Sequence, residues 1–117
     1  MRSMTESEAR LLLCAAIKEP VLIITVSEDT AMMIKNSILE LAKQILWKNL
    51  CRQDYRYKIL IRGYECITVM PLSRWKNEKY RLLHKGAVIT TSRQIKNIPL
   101  TVKEPVLLDD YFKKAEE

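Results

Sequence analysis

The residues best suited to chemistry in this chain are cations interleaved with aromatic rings. They are concentrated in one stretch: Arg74, Trp75, Lys76, Lys79, Tyr80, Arg81 and Lys85. Cationic side chains can contact phosphates while aromatic faces stack on bases, a combination typical of single-stranded nucleic-acid sites. In the alternative interpretation, Trp75 and Tyr80 anchor a surface helix to the core. The stretch is therefore a candidate nucleic-acid site, with both interpretations open.

A second candidate is the acidic pair Asp109 and Asp110, which follows the apolar run Val106-Leu-Leu108. A carboxylate at the carboxyl end of a strand can hold Mg²⁺. With Glu28 as a third carboxylate, a Mg²⁺-dependent enzyme is a weaker option. Nucleotide hydrolysis would also need a phosphate-binding loop, but the chain has only two glycines and no G-x-x-x-x-G-K-[ST] motif.

No complete catalytic constellation accompanies these residues. His84 is the only histidine, and no G-x-S-x-G motif supplies a nucleophile. We expect His84 to lie on the surface. The sequence therefore favours a non-catalytic protein that needs no cofactor.

Charge is unevenly distributed along the chain. Between Lys43 and Lys96 there are thirteen Lys and Arg residues against three acids, or +10, whereas the net charge of the whole chain is +6. The flanks together therefore carry −4. A central basic block favours one surface that attracts polyanions, although a solvated basic surface without a partner has the same composition.

Length and composition indicate one soluble α/β domain over residues 1–117. Hydrophobic residues make up 48% of the chain, no apolar run reaches the roughly 20 residues of a membrane span, and the N-terminus lacks a secretory apolar region. We expect a cytoplasmic protein without a membrane partner. Cys14, Cys51 and Cys66 are odd in number and widely spaced, which predicts reduced thiols in the core.

The clearest structural signal is the unbroken apolar run Val21–Val26, followed by Ser27, Glu28 and Asp29. This pattern predicts a buried parallel strand that leads into a capped helix. The remaining predictions are a helix over 5–18, a long helix over 28–50, a β-hairpin from 55–61 and 65–70, strands at 87–91 and 106–108, and a frayed tail over 111–117. Together they predict a layered sandwich around a mostly parallel sheet with an edge hairpin.

The long predicted helix is apolar around more than one face. Its inward positions are Ile34, Ile38, Leu41 and Ile45. Other apolar residues lie partly off that row: Met32, Met33, Leu46, Trp47 and Leu50. Core packing is the favoured explanation, and contact with a partner chain, including a second copy, is the alternative.

This order of elements, together with the segment Pro71-Leu-Ser-Arg-Trp-Lys-Asn-Glu-Lys79, resembles the core of phage DNA-packaging ATPases and of superfamily 2 helicases over residues 5–110. In these families a hairpin precedes the Walker B strand, so the resemblance implies that the Walker B role falls on Asp109 or Asp110. The Walker A loop of the families is absent, and the resemblance therefore implies a truncated or degenerate relative, in which the missing loop argues against ATPase activity.

The sequence thus favours a non-catalytic protein that binds DNA or RNA, in a phage or mobile-element setting. The alternative is a small protein-interaction module or inhibitor that binds a nucleic-acid-processing partner.

Overall fold

The fold is built around one buried central strand in a six-stranded sheet. The structure, a computed structural model, describes residues 4–44, 51–54, 56–61, 64–77 and 82–116. In chain order its elements are α1 (Glu6–Lys18), β1 (Val21–Thr25), α2 (Glu28–Gln44), β2 (Cys51–Asp54), β3 (Lys58–Ile61), β4 (Tyr64–Pro71), α3 (Leu72–Asn77), β5 (Ala87–Thr90), β6 (Val106–Leu107) and α4 (Leu108–Glu116).

The sheet order is β2-β3-β4-β1-β5-β6. The pairs β4 with β1, β1 with β5 and β5 with β6 are parallel, whereas β2 with β3 and β3 with β4 are antiparallel. The predicted mostly parallel α/β sandwich is confirmed. Because β1, β4, β5 and β6 point the same way, their carboxyl ends share one edge of the sheet, which we call the carboxyl edge. The opposite end is the amino edge.

All five residues of β1 are buried, and all but Thr25 are apolar. The predicted strand is one residue too long, because Val26 lies outside β1 and is 64% exposed. Val21 and Ile23 join the core beneath α1, α2 and α4, whereas Leu22 and Ile24 join the core beneath α3 and the loop that contains Ile95. Helices therefore cover both faces of the sheet, as a parallel strand requires. None of the helices within the described ranges is both long enough and apolar enough to cross a bilayer.

Local sequence signals set the starts of the first two helices. Thr5 caps α1 in a reciprocal capping box with Glu8, as the sequence predicts. The hydroxyl of Ser27 accepts a hydrogen bond from the backbone N–H of Thr30 at 3.2 Å at the start of α2. The Thr25 hydroxyl donates to the Ser27 carbonyl at 2.6 Å and so holds the turn between β1 and α2.

The structure differs from the sequence predictions in four other places. The predicted hairpin is present as β3 and β4. However, β2 pairs with β3 on its other side, so the outermost strand on this side of the sheet is β2 and not a strand of the hairpin. Residues 111–116, predicted to fray, belong to α4 because Phe112 packs into the core. Leu41 is only half-buried, and Ala42 lies in the core instead. The prediction of a core thiol is wrong for Cys14, which is exposed.

Two further predictions fall partly or wholly outside the described residues. The predicted helix continuation over 45–50, with Ile45, Leu46, Trp47 and Leu50, lies outside them. For Cys51 and Cys66 only the backbone is described, as part of β2 and β4.

Gly86 gives the first testable prediction, because it allows the chain before β5 to pass close to the start of β1. A Cβ atom at Gly86 would lie 1.9 Å from the carbonyl oxygen of Pro20, and a backbone atom cannot move aside as a side chain can. We expect Gly86→Ala to lower the free energy of unfolding by about 1–3 kcal/mol, the usual cost of overpacking. Urea denaturation followed by circular dichroism measures this loss, and an unchanged midpoint would contradict the close approach.

Candidate nucleic-acid interface

An open crevice of about 510 Å³ lies at the carboxyl edge, between the ends of β1 and β4. It is lined by Val26, Ser27, Glu28, Tyr57, Pro71, Ser73, Arg74 and Asn77. The chain leaves β1 into α2 on one face of the sheet and leaves β4 into α3 on the other. Divergent connections from neighbouring parallel strands open such a crevice, which is the usual ligand position in open α/β sheets.

Tyr57 forms the floor of the crevice and is only 4% exposed. Its hydroxyl donates a short hydrogen bond to Oε1 of Glu28, and its carbonyl accepts from the N–H of Val69 at 2.8 Å. These bonds hold the start of β3 beside the start of α2. Since β3 runs antiparallel to β4, the residues before β3 lie at the carboxyl edge.

Two arginines lie against this floor. The guanidinium carbon of Arg56 is 5.9 Å from the centre of the Tyr57 ring, and that of Arg74 is 5.8 Å from it, within the range of cation–π attraction. Nε of Arg56 also pairs with Oε1 of Glu28 at 3.3 Å. The crevice is therefore lined by one positive charge, Arg74, and one carboxylate, Glu28, and Arg56 adds a second positive charge beside them.

Lys35 supports this arrangement from beneath. It lies two helical turns after Glu28 on the same face of α2, is 4% exposed, and donates from Nζ to the carbonyl of Arg56 at 2.9 Å. Burial, and secondarily the charge of Arg56, lowers the pKa of Lys35. Both residues thus attach the segment before β3 to α2. Glu28 contacts the side chains of Arg56 and Tyr57, and Lys35 contacts the backbone carbonyl of Arg56.

The structure separates the residues that the sequence predicts as a nucleic-acid site. Arg74 and Lys76 are exposed on α3, and Lys85 is exposed before β5. Because β5 is parallel to β4, Lys85 lies at the amino edge, away from Arg74, and the prediction that they share one patch is wrong. Lys79, Tyr80 and Arg81 lie outside the described residues.

Trp75 does not present a stacking surface. Its ring is 6% exposed and packs with Leu22, Ile24 and Val88, while Nε1 donates to the carbonyl of Pro99 at 2.7 Å. The interpretation of Trp75 as a base-stacking residue is therefore wrong, because α3 is too short to hold its place without an apolar anchor. The alternative, an anchor for a surface helix, is the arrangement found.

The acidic pair is not assembled into a metal site. Asp109 and Asp110 are exposed in the first turn of α4, where carboxylates favour the helix dipole. Within the described ranges, no group of three or more His, Cys, Asp or Glu side chains is placed to hold a metal ion. The predicted strand ends at Leu107 rather than Leu108, so the pair belongs to a helix instead of projecting from a strand end.

His84 is half-buried before β5 rather than on the open surface. Its Nε2 lies 2.9 Å from the carbonyl of Ala87, and its backbone bonds to Leu100 and Val102. Since it precedes a parallel strand, it lies at the amino edge. It is therefore remote from the crevice and takes no part in it.

Sequence reasoning missed the residues that accompany Arg74. Arg56 and Tyr57 precede a short strand, and Arg93 is exposed in the turn that follows β5. Arg56 and Arg93 belong to the central basic block but to no local motif, so only the strand order shows that they reach the same edge. Exposed cations of the carboxyl edge, which we call the edge cations, are Arg56, Arg74, Lys76 and Arg93.

Comparisons with known proteins returned no matching family model, no matching curated protein and no matching solved structure. The resemblance to DNA-packaging ATPases and superfamily 2 helicases therefore stays a prediction.

The buried position of Trp75 predicts a large effect on stability. Trp75→Ala should lower the free energy of unfolding by about 3–5 kcal/mol through the cavity it leaves. Trp75→Phe should lower it by about 1–2 kcal/mol, because the Pro99 carbonyl loses its donor. Urea denaturation followed by circular dichroism tests both changes against Asn77→Ala, an exposed change in the same helix. Equal stabilities of Trp75→Ala and Asn77→Ala would refute the anchor.

The hydrogen bond between Tyr57 and Glu28 predicts a dependence of stability on alkaline pH. This bond, together with burial, raises the pKa of Tyr57 above 10.0. The folded state therefore keeps the phenolic proton longer than the unfolded state. The resulting stabilisation is complete below about pH 10, the ordinary tyrosine value, and is lost as pH rises from there through the folded-state pKa.

Comparison with Tyr57→Phe isolates this effect. Tyr111, whose pKa is raised chiefly by burial, and Lys35, whose pKa is lowered chiefly by burial, are present in both proteins, so their contributions cancel in the difference. The stability difference between the wild type and Tyr57→Phe should be constant up to about pH 9 and should decrease above about pH 10. A difference that stays constant up to pH 11 would show that the hydroxyl does not keep its proton longer in the folded state.

Proposed function

We propose that this protein is a non-catalytic nucleic-acid-binding protein whose phosphate contacts come from the carboxyl edge of the sheet. The observation that carries the proposal is the position of the four edge cations, which come from three separate segments of the chain and lie along one edge. Exposed Lys and Arg side chains neutralise backbone phosphates and release counterions, and this supplies most non-specific affinity for nucleic acids.

The distribution of charge along the carboxyl edge also suggests which path a nucleic-acid strand would take across the sheet. The edge cations follow or precede β3, β4 and β5, whereas Asp109 and Asp110 follow β6 at the end of the sheet. A polyanion is therefore favoured across β3, β4, β1 and β5 and disfavoured over α4. Because DNA and RNA share the phosphate backbone that the edge cations would contact, the proposed partner is DNA or RNA. A phage or mobile-element setting stays part of the proposal.

Binding through the edge cations predicts a strong response to salt. With about four phosphate contacts, a plot of log K against log[salt] should have a slope of about −3 to −4 for single- or double-stranded substrates. Fluorescence anisotropy with labelled 20-nucleotide DNA and RNA, single-stranded and duplex, measures this slope. A flat response, or no binding at about 50 mM salt, would refute the proposal.

Matched charge changes then test the location. The double change Arg74→Gln and Arg93→Gln should reduce the magnitude of the slope by about 1.5, whereas Lys85→Gln, at the amino edge, should leave it unchanged. Asp109→Asn with Asp110→Asn should tighten binding slightly by removing repulsion. If Lys85→Gln weakens binding by as much, for each charge removed, as the double change Arg74→Gln and Arg93→Gln, the carboxyl edge is not the binding surface.

The alternative of a protein-interaction module draws on a different surface. Leu82, Leu83, Leu100 and Val102 are exposed on two segments that pair through His84 and Thr101 at the amino edge. An exposed apolar patch is typical of protein contacts. If nucleic acid does not bind, this surface favours a protein partner.

A further inference from the structure

The crevice at the carboxyl edge has features that binding along an open basic surface does not require. It is concave and about 510 Å³ in volume. Ser27, Ser73 and Asn77, which have neutral polar side chains, line it together with Arg74. A concave site with a few converging polar groups is suited to one small group rather than to a long surface.

The ion pair between Arg56 and Glu28 is weak in geometry. Its contact between Nε of Arg56 and Oε1 of Glu28 is 3.3 Å long, and the side chains of Arg56 and Glu28 are 60% and 45% exposed. Arg binds carboxylates and phosphates most strongly through two parallel N–H bonds, and exposed pairs of single contacts contribute little. A phosphate that accepts two bonds from Arg56 can therefore displace Glu28 from it.

Glu28 does not lose its only partner in this exchange, because the Tyr57 hydroxyl also donates to it. Arg74 lies near the same Tyr57 ring and adds a second positive charge. Each guanidinium carbon lies within 6 Å of the centre of the Tyr57 ring, so both positive charges act on a phosphate group at the mouth of the crevice.

We infer that the crevice between β1 and β4 is a phosphate-binding subsite in which Arg56 and Arg74 hold one phosphate group and Glu28 competes with that phosphate for Arg56. This inference deepens the proposed function and rests on it for the source of the phosphate, the backbone or end of a nucleic acid. The binding chemistry is the same for free phosphate, and this allows the subsite to be tested separately.

The first test is a titration of the full chain with inorganic phosphate, followed by NMR of the arginine Nε–Hε groups. Chloride at the same ionic strength removes the effect of screening. We expect saturable shifts of Arg56 and Arg74, and no saturable shift of Arg10, which also pairs with a glutamate, Glu6, but lies on α1. Absence of saturable shifts at Arg56 and Arg74 would overturn the subsite, even if the protein binds nucleic acid.

The second test addresses the competing carboxylate. Glu28→Gln removes one negative charge from the crevice and should tighten phosphate binding about threefold to tenfold. Asp29→Asn makes the same charge change on the next residue of α2 and should have a smaller effect. Equal effects of the two changes, or weaker binding by Glu28→Gln, would overturn the competition. If Glu28→Gln does not fold, Arg74→Gln replaces it, and unaltered phosphate affinity in that variant would overturn the subsite.

A third measurement separates the two proposals. Saturable phosphate binding at Arg56 and Arg74 without binding of the labelled 20-nucleotide strands would support the subsite and refute nucleic-acid binding. Competition between inorganic phosphate and the labelled strand, beyond the effect of ionic strength, would support both. If the labelled nucleic-acid strand binds and added inorganic phosphate does not weaken its binding, the inference that the crevice binds a phosphate of the nucleic acid would be overturned.

Discussion

Burial of β1 on both faces and both edges is the constraint on which the rest of the structure depends. A strand buried on both faces needs other elements packed above and below it, and a strand buried at both edges needs a hydrogen-bonded strand on each side. Both requirements are met by α1, α2 and α4 on one face, α3 on the other, and β4 and β5 alongside. The carboxyl edge and its crevice result from this arrangement, because the chain turns away from β1 and β4 in opposite directions.

Local signals in the sequence predicted the parts of the fold that depend on local physics. The apolar run of β1, the capping box of α1 and the period of the hairpin each reflect burial or hydrogen bonding of neighbouring residues. Each is present, although β1 ends at Thr25, one residue before the predicted end. The candidate site was less predictable because its members are far apart in sequence. Arg74 was identified within a local pattern of cations and rings, but Arg56 joins it only through the antiparallel pairing of β3 with β4. Lys85 was grouped with Arg74 by closeness in sequence, and the direction of β5 separates them.

Trp75 and Glu28 show how one residue type can serve either structure or binding. Trp75 sits between two cations in sequence, yet the short helix α3 needs its ring as an attachment to the core. Glu28 is positioned for the dipole of α2 and also meets Tyr57 and Arg56 from β3. For both residues, the neighbouring sequence is compatible with a structural role and with a binding role. Only the contacts in three dimensions distinguish the two roles.

The brevity of β6 has a consequence for the protein at high concentration. An edge strand with a long row of unpaired backbone groups can recruit the edge of another molecule and begin aggregation. Strand β6 consists of Val106 and Leu107 only, follows Pro105, which has no backbone N–H, and passes directly into α4. This side of the sheet therefore offers too short a template for a neighbouring chain to extend the sheet. The two residues are enough to complete the parallel pairing with β5 while leaving the edge resistant to intermolecular β-structure.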